Sequence, residues 1–284
     1  MAKPVVAIIA PGSMGAAVAA RLTENGLTVL TSLEGRSEAS IKRAKDAGMT
    51  PASETELAAS DILLSIVPPG DAQGLAETLK PALKASNHKP VYVDCNAVSP
   101  DTAANVAAIL EDTGAPFVDG GIIGPPPRAG SNATSIYVSG ADAGRVEVLN
   151  DYGLRIRNLG GKAGDASALK MSYAGLTKGL VALGSAMIAA AQRAGVSDAL
   201  RAELGESQAA MLAQLTRGVP GMFPKAYRWI AELDEIADFA GPGPEADVYR
   251  AIARLYERIA ADVEGSGAET AKLAEFFAPK RKDQ

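Results

Sequence analysis

Two short stretches carry residue types whose spacing permits chemistry. In "IIAPGSMGAAV" from Ile8, an apolar run meets Gly12 and Gly15 and then small residues. Strand, tight turn and helix start in that order make the dinucleotide-binding arrangement G-x-G-x-x-G, whose three positions here are Ala10, Gly12 and Gly15. The second position lets backbone N–H groups approach phosphate and the third lets helix pack on strand, and both are glycine. Ala10 adds one methyl at the first, which a negative φ accommodates. The N–H groups of Ser13 and Met14 and the positive end of the helix remain for a pyrophosphate. In "ASALKMSYAGL" from Ala166, Lys170 precedes Tyr173 by three residues, which puts both on one helix face. Lys170 either runs along the helix with its ammonium in water or, desolvated among small apolar neighbours, has a lowered pKa and handles a proton.

The stretch "TSLEGRSEAS" bears on the kind of dinucleotide. Glu34, 19 residues after Gly15, can bind the ribose 2′-hydroxyl of NAD. Arg36 and Ser37 suit a 2′-phosphate, so NADP is favoured over NAD; Ser37 would also serve as a helix cap. The single histidine, His88, sits in the polar turn "ASNHK" and is expected at the surface. With one His and one Cys, no metal-ligand set is available, and no Ser-His-Asp arrangement can be drawn.

Elements that could position these residues follow from the pattern. The runs "PVVAIIA", "LTVLT", "DILLSIV", "PVYVDC" and "PFVDGG" read as strands that alternate with helices such as Ser13 to Asn25 and Ser37 to Ala47, predicting a parallel sheet wrapped by helices. "TSIYVSG" and "LRIRNLG" are shorter strands around a helix at Ala143 to Tyr152. From Asp165 onward only helices are expected, the first running to Ala194, with later breaks near Gly218–Gly221 and Gly241–Pro244 and a solvated tail "PKRKDQ". A length of 284 residues, with 47% hydrophobic and 21% charged content, fits two domains with a large core. The net charge of −5 gives no bias toward nucleic acid or anionic membrane. Cys95, the single cysteine, excludes an intrachain disulfide and suits a reducing compartment. Only Lys3 precedes the first apolar run, so no signal peptide is read and a cytoplasmic location is expected. The apolar run "LVALGSAMIAAA" from Leu180 is too short to span a bilayer and predicts a buried helix.

Taken together these motifs resemble the β-hydroxyacid dehydrogenase superfamily, which includes 3-hydroxyisobutyrate and 6-phosphogluconate dehydrogenases, in a divergent branch with a helical C-terminal domain of unassigned role. "APGSMG" differs from the family's G-x-G-x-M-G only at Ala10, and "DCNAVSP" from Asp94 has the frame of D-x-S-T-x-x-P with Asn96 at the serine. "DGGIIGP" from Asp119 loosely matches D-A-P-V-S-G-G, and "GDASALKMSYA" meets G-x-G-x-x-x-K-x-x-N-N with Lys170 on the catalytic lysine. The resemblance implies an α/β Rossmann-type domain (1–162) followed by an all-α domain (163–284), joined by a long central helix.

It also implies hydride transfer between NADP and a small alcohol or carbonyl, with Lys170 as general acid/base and Tyr173 able to share the proton. Asn96 would donate to substrate or nicotinamide, or cap a turn; Val67, Pro68 and Pro69 would wall the nicotinamide ribose, or simply end a strand. Ile123 replaces the family's carboxylate-binding serine, which points to a bulkier substrate, neutral or amine-bearing, against Ile122 or Ile123; Arg128 could supply a replacement anchor. A second lysine that many members carry in the helical domain is expected to be acidic here, at Asp234 or Glu235. An imine reductase or a non-catalytic NADP-binding protein are the alternatives. A homodimer through the helical domain is expected, with Trp229 or Glu232 closing the partner's cleft.

Overall fold

Short apolar runs bounded by turn residues build the first half of the chain. In this computed structural model, which describes residues 3–278, the elements run β1 (Val5–Ile9), α1 (Ser13–Glu24), β2 (Thr28–Thr31), α2 (Glu38–Asp46), β3 (Thr50–Pro51), α3 (Glu54–Ala58) and β4 (Ile62–Ser65). They continue with α4 (Ala72–Ala85), β5 (Val91–Asp94), α5 (Pro100–Leu110), β6 (Phe117–Ile123), β7 (Ser135–Ser139) and β8 (Ile156–Asn158). The expected tail, Pro279 to Gln284, lies outside the described residues.

One eight-stranded sheet orders them β3-β2-β1-β4-β5-β6-β7-β8. The order reverses between β1 and β4, the switch point at which doubly wound sheets open a ligand crevice. Alternate residues of each strand feed two cores. Val6, Ile8, Leu64 and Val93 pack under α1 and α2 on one face, and Ala7, Ile9, Leu63 and Tyr92 under α4 and α5 on the other.

One expectation for the sheet needs correction. The β6–β7 pair is antiparallel, because loop 124–134, with prolines at 125–127, supplies no helix for a parallel crossover. The helix expected at Ala143–Tyr152 is present, as 3-10 turns. Their buried residues, Ala143, Val146 and Leu149, recur every third position, and three residues per turn stack them on one face.

Helices follow: α6 (Asp165–Arg193), α7 (Ser197–Ser207), α8 (Ala209–Met222), α9 (Ala226–Ala240), α10 (Pro244–Glu264) and α11 (Ala268–Glu275). The break expected near Gly218–Gly221 is absent, and α8 runs through Pro220. Burial of Leu215, Val219 and Met222 along one side outweighs the lost backbone hydrogen bond, and the chain turns only at Phe223–Lys225. The break before Pro244 is present, with Gly241 and Gly243 at φ 88° and 121°.

The chain divides into two compact units, one ending at Met171 and one beginning at Ser172, a division that falls inside α6. The first turns of α6 belong with the sheet because they are fastened to β6, as described below. Over its 29 residues α6 is long and apolar enough to cross a bilayer, more than its twelve-residue apolar run suggests, but 44% of that apolar window is buried in the fold. Its exposed side carries Tyr173, Leu176, Leu183 and Met187, with Leu176 75% exposed.

Candidate active site

The glycine turn separates its two glycines by what surrounds them. A side chain at Gly15 would overlap the Ala10 carbonyl oxygen, so this glycine is what lets α1 lie against β1. A Cβ at Gly12 would meet nothing within 4 Å, so the space above the turn is open. Helices α2, α3 and α5 are each capped by a serine side chain, at Ser37, Ser53 and Ser99. Helix α1 has no side-chain cap and no acidic residue in its first turn. No side chain takes up the first N–H groups of α1, at Ser13 and Met14, and with the open space at Gly12 and the positive end of the helix this fits a pyrophosphate.

Beyond β2 a cavity of about 520 Å³ is lined by Ser32, Glu34, Arg36, Glu54, Val67 and Asp71, among others. Glu34 and Arg36 thus share one cavity, while Ser37 caps α2 by accepting from the Ser40 N–H at 3.3 Å. Gly35 between them has φ 65°, a turn conformation open to glycine. The cavity thus holds one guanidinium and three carboxylates, Glu34, Glu54 and Asp71, between apolar walls, and Ile9 at the end of β1 brings it next to the glycine turn.

Asn96 does not have the geometry of a substrate donor. Buried at 2% exposure, it donates through Nδ2 to Ser65 Oγ at 2.8 Å and Asp94 Oδ1 at 2.5 Å, and its Oδ1 accepts the Val67 N–H at 2.6 Å. Both amide hydrogens are engaged, so the residue ties the end of β5 to the Val67–Pro68 segment and holds that wall in place. Neighbouring Cys95 is buried, and burial together with Asp94 and Asp119 pushes its thiol well above the ordinary range.

Asp119 explains how Lys170 is placed. Its buried carboxylate accepts the hydroxyls of Ser139 at 2.9 Å and Ser167 at 2.5 Å, and the N–H groups of Gly164 at 2.9 Å and Ser167 at 3.0 Å. The charge sits at the N-terminus of α6, where the helix dipole and four donors compensate it. Gly121, two residues along β6, brings the helix close: a Cβ there would stand 2.9 Å from the Ala166 carbonyl oxygen and 3.0 Å from Lys170 Cβ. Lys170, half-buried, is thereby set over the C-terminal part of β6. Ile123 shares that strand face with Asp119 and Gly121. Ile122 points the other way into the sheet core at 7% exposure, so it cannot line a pocket with Ile123. Arg128 is exposed on loop 124–134.

In the helical unit, Tyr173 and Trp229 line one cavity of about 340 Å³ with Thr177, Lys178, Gln214 and Arg217. Lys178, 7% exposed, pairs with Glu232 at 2.6 Å and lies 5.1 Å from the centre of the Trp229 ring. Trp229 meets Tyr256 edge-on, and the Tyr256 hydroxyl donates to the Lys178 carbonyl at 2.7 Å. Glu232, on α9 with Asp234 and Glu235, is the acid paired with this cavity's lysine at 2.6 Å. The sequence reading missed Lys178, Asp119 and Arg43; a lysine amid "GLTKGLVALG" was the one signal available for the first.

Residues 5–152 match the NAD binding domain of 6-phosphogluconate dehydrogenase, and residues 191–259 match a domain of unknown function, DUF1932. An uncharacterized 28.5 kDa protein of Methanothermus fervidus is 31% identical over 74% of this chain and 81% of its own. The solved structure of MTH1747, a conserved protein of unknown function described as similar to 3-hydroxyacid dehydrogenases, is 31% identical, covers 93% of this chain and 99% of its own, and has a TM-score of 0.70. Mycobacterium tuberculosis 3-hydroxyisobutyrate dehydrogenase, solved with L-serine, has the same fold at 18% identity, a TM-score of 0.72, and 98% and 100% coverage. With the uncapped glycine turn and the lysine on α6, these matches place the chain in the β-hydroxyacid dehydrogenase superfamily, as an NAD(P)-dependent oxidoreductase.

Proposed function

We propose that this chain catalyses hydride transfer between NADP and a small alcohol or its carbonyl counterpart, with Lys170 as proton carrier. The observation that carries the reading is the Asp119 clamp, which fixes the start of α6 and so sets Lys170 over the C-terminal part of β6, the end of the sheet where ligands of this architecture bind. The turn at Gly12 and the N-terminus of α1 would hold the pyrophosphate, and Arg36 with Ser37 the 2′-phosphate. The bound nicotinamide supplies the hydride acceptor or donor. Lys170 Nζ takes the hydroxyl proton in oxidation and returns one to the carbonyl oxygen in reduction. Asn96 and Val67 hold the wall of the crevice, and Ile123 offers an apolar contact where the family has a hydrogen-bonding serine.

Turnover with a panel of uncharged alcohols, 3-hydroxyisobutyrate and cyclic imines tests the reading. Lys170→Met is expected to lower turnover about 10²–10⁴-fold with NADPH affinity nearly intact. Normal turnover in that variant removes Lys170 from the mechanism. A higher kcat/KM for the hydroxyacid, lost in Arg128→Ala, would overturn the neutral-substrate preference.

A further inference from the structure

Arg43 lies on α2, half-buried, and its side chain reaches back to the glycine turn. Nε donates to the Pro11 carbonyl at 3.1 Å, and Nη2 donates to Ser40 Oγ at 2.7 Å. Ser40 Oγ also accepts from Ser37 Oγ at 3.2 Å, and Ser37 is the cap of α2 beside Arg36. On its other side, the Pro11–Gly12 peptide donates its N–H to the Ala10 carbonyl at 2.8 Å. The central peptide of the turn is therefore held at both polar ends, and one of the two holds is Arg43.

Among the described residues this guanidinium bonds to a carbonyl and a hydroxyl and to no carboxylate. A half-buried cation without an acidic partner, beside a turn read as the pyrophosphate site, is not explained by a structural ion pair. The bonds Ser37–Ser40–Arg43–Pro11 instead run from the end of the site that reads the ribose to the turn that receives the pyrophosphate.

We propose that Arg43 is a positioning residue for the dinucleotide, holding the glycine turn in its phosphate-accepting shape and joining it to the Arg36–Ser37 end of the site. The proposal rests on the reading of this crevice as a dinucleotide site. The pyrophosphate is common to both cofactors, so loss of Arg43 weakens NADPH and NADH alike. Loss of Arg36 weakens NADPH alone.

Fluorescence titration of the full chain with NADPH and with NADH tests this, in the wild type, Arg43→Met, Ser40→Ala and Arg36→Ala. Arg43→Met is expected to raise Kd for both cofactors about tenfold, and Ser40→Ala about threefold for both. The cofactor-free melting temperature stays within about 2 °C of wild type. Unchanged Kd values in Arg43→Met, a rise for NADPH only, or a lowered melting temperature with unchanged Kd each overturn the proposal. A wild type that binds neither cofactor defeats the dinucleotide reading and this inference together. Equal wild-type affinity for the two sinks the NADP preference alone and leaves the Arg43 comparison to stand or fall by itself.

Discussion

Asp119 and Ser167 are joined by a 2.5 Å hydroxyl–carboxylate hydrogen bond, although 48 residues separate them in the chain. The same carboxylate accepts two backbone N–H groups at the start of α6. Asp119→Asn turns an acceptor into a partial donor facing those N–H groups. Unfolding in urea is expected to show a loss of about 2–4 kcal/mol, with the transition of the nucleotide unit moved most. An unchanged midpoint would mean that α6 is held by packing alone.

Gly12 and Gly15 are expected to fail differently. Gly15→Ala forces a methyl into the Ala10 carbonyl and costs about 3 kcal/mol or more, read as lost soluble expression or a much lower denaturation midpoint. Gly12→Ala has open space around the new methyl and is expected to keep its midpoint within about 0.5 kcal/mol while cofactor binding weakens. Retained binding in Gly12→Ala would place the pyrophosphate elsewhere.

The exposed side of α6 bears on assembly. Leu176, Leu183 and Met187 form an apolar stripe that, in our reading, packs on a second copy of the chain. Light scattering is expected to give a dimer mass at micromolar concentration, and the double variant Leu176→Glu/Met187→Glu a monomer of native helicity. A monomer in the wild type rejects the pairing.

Part of the acid sensitivity should come from the end of the helical unit. The Asp262 carboxylate accepts the N–H groups of Thr270 at 2.8 Å and Glu269 at 3.1 Å. The bond from Thr270 first of all holds its pKa below the ordinary value of 3.8. A depressed carboxylate stabilises the fold above its unfolded pKa, and that contribution fades as pH falls through the folded one. Asp262→Asn should therefore be less stable than wild type at pH 7, with the gap closing as pH falls below the ordinary carboxylate value of 3.8. A gap independent of pH would assign the effect to shape rather than charge.

What could be read from the sequence was local or periodic. Gly12 and Gly15 sit at fixed offsets behind an apolar run, and the alternation of strand-length runs with helices carries the sheet. Lys170 could be singled out only through its place in a known motif, since a lysine in a helix carries no local mark that sets it apart. Asp119 was not legible as a cap, because its partners Gly164 and Ser167 lie 45 and 48 residues away. Lys178 hides its burial for the same reason, with Glu232 on a different helix. Arg43 looks like an ordinary surface residue of α2, and only the fold shows it reaching the turn. Ile122 and Ile123 are adjacent in the sequence, yet strand alternation sends them to opposite sides of the sheet.

The buried thiol of Cys95 turns the nucleotide unit into its own clock. Because it is the chain's one cysteine, enclosed and held protonated, a thiol reagent can reach it only during transient openings at the end of β5. The labelling rate then counts those openings at a single known position, beside the Asn96 brace. Any molecule that closes the crevice slows the count in proportion to its occupancy, so candidate cofactors and substrates can be ranked without an activity assay.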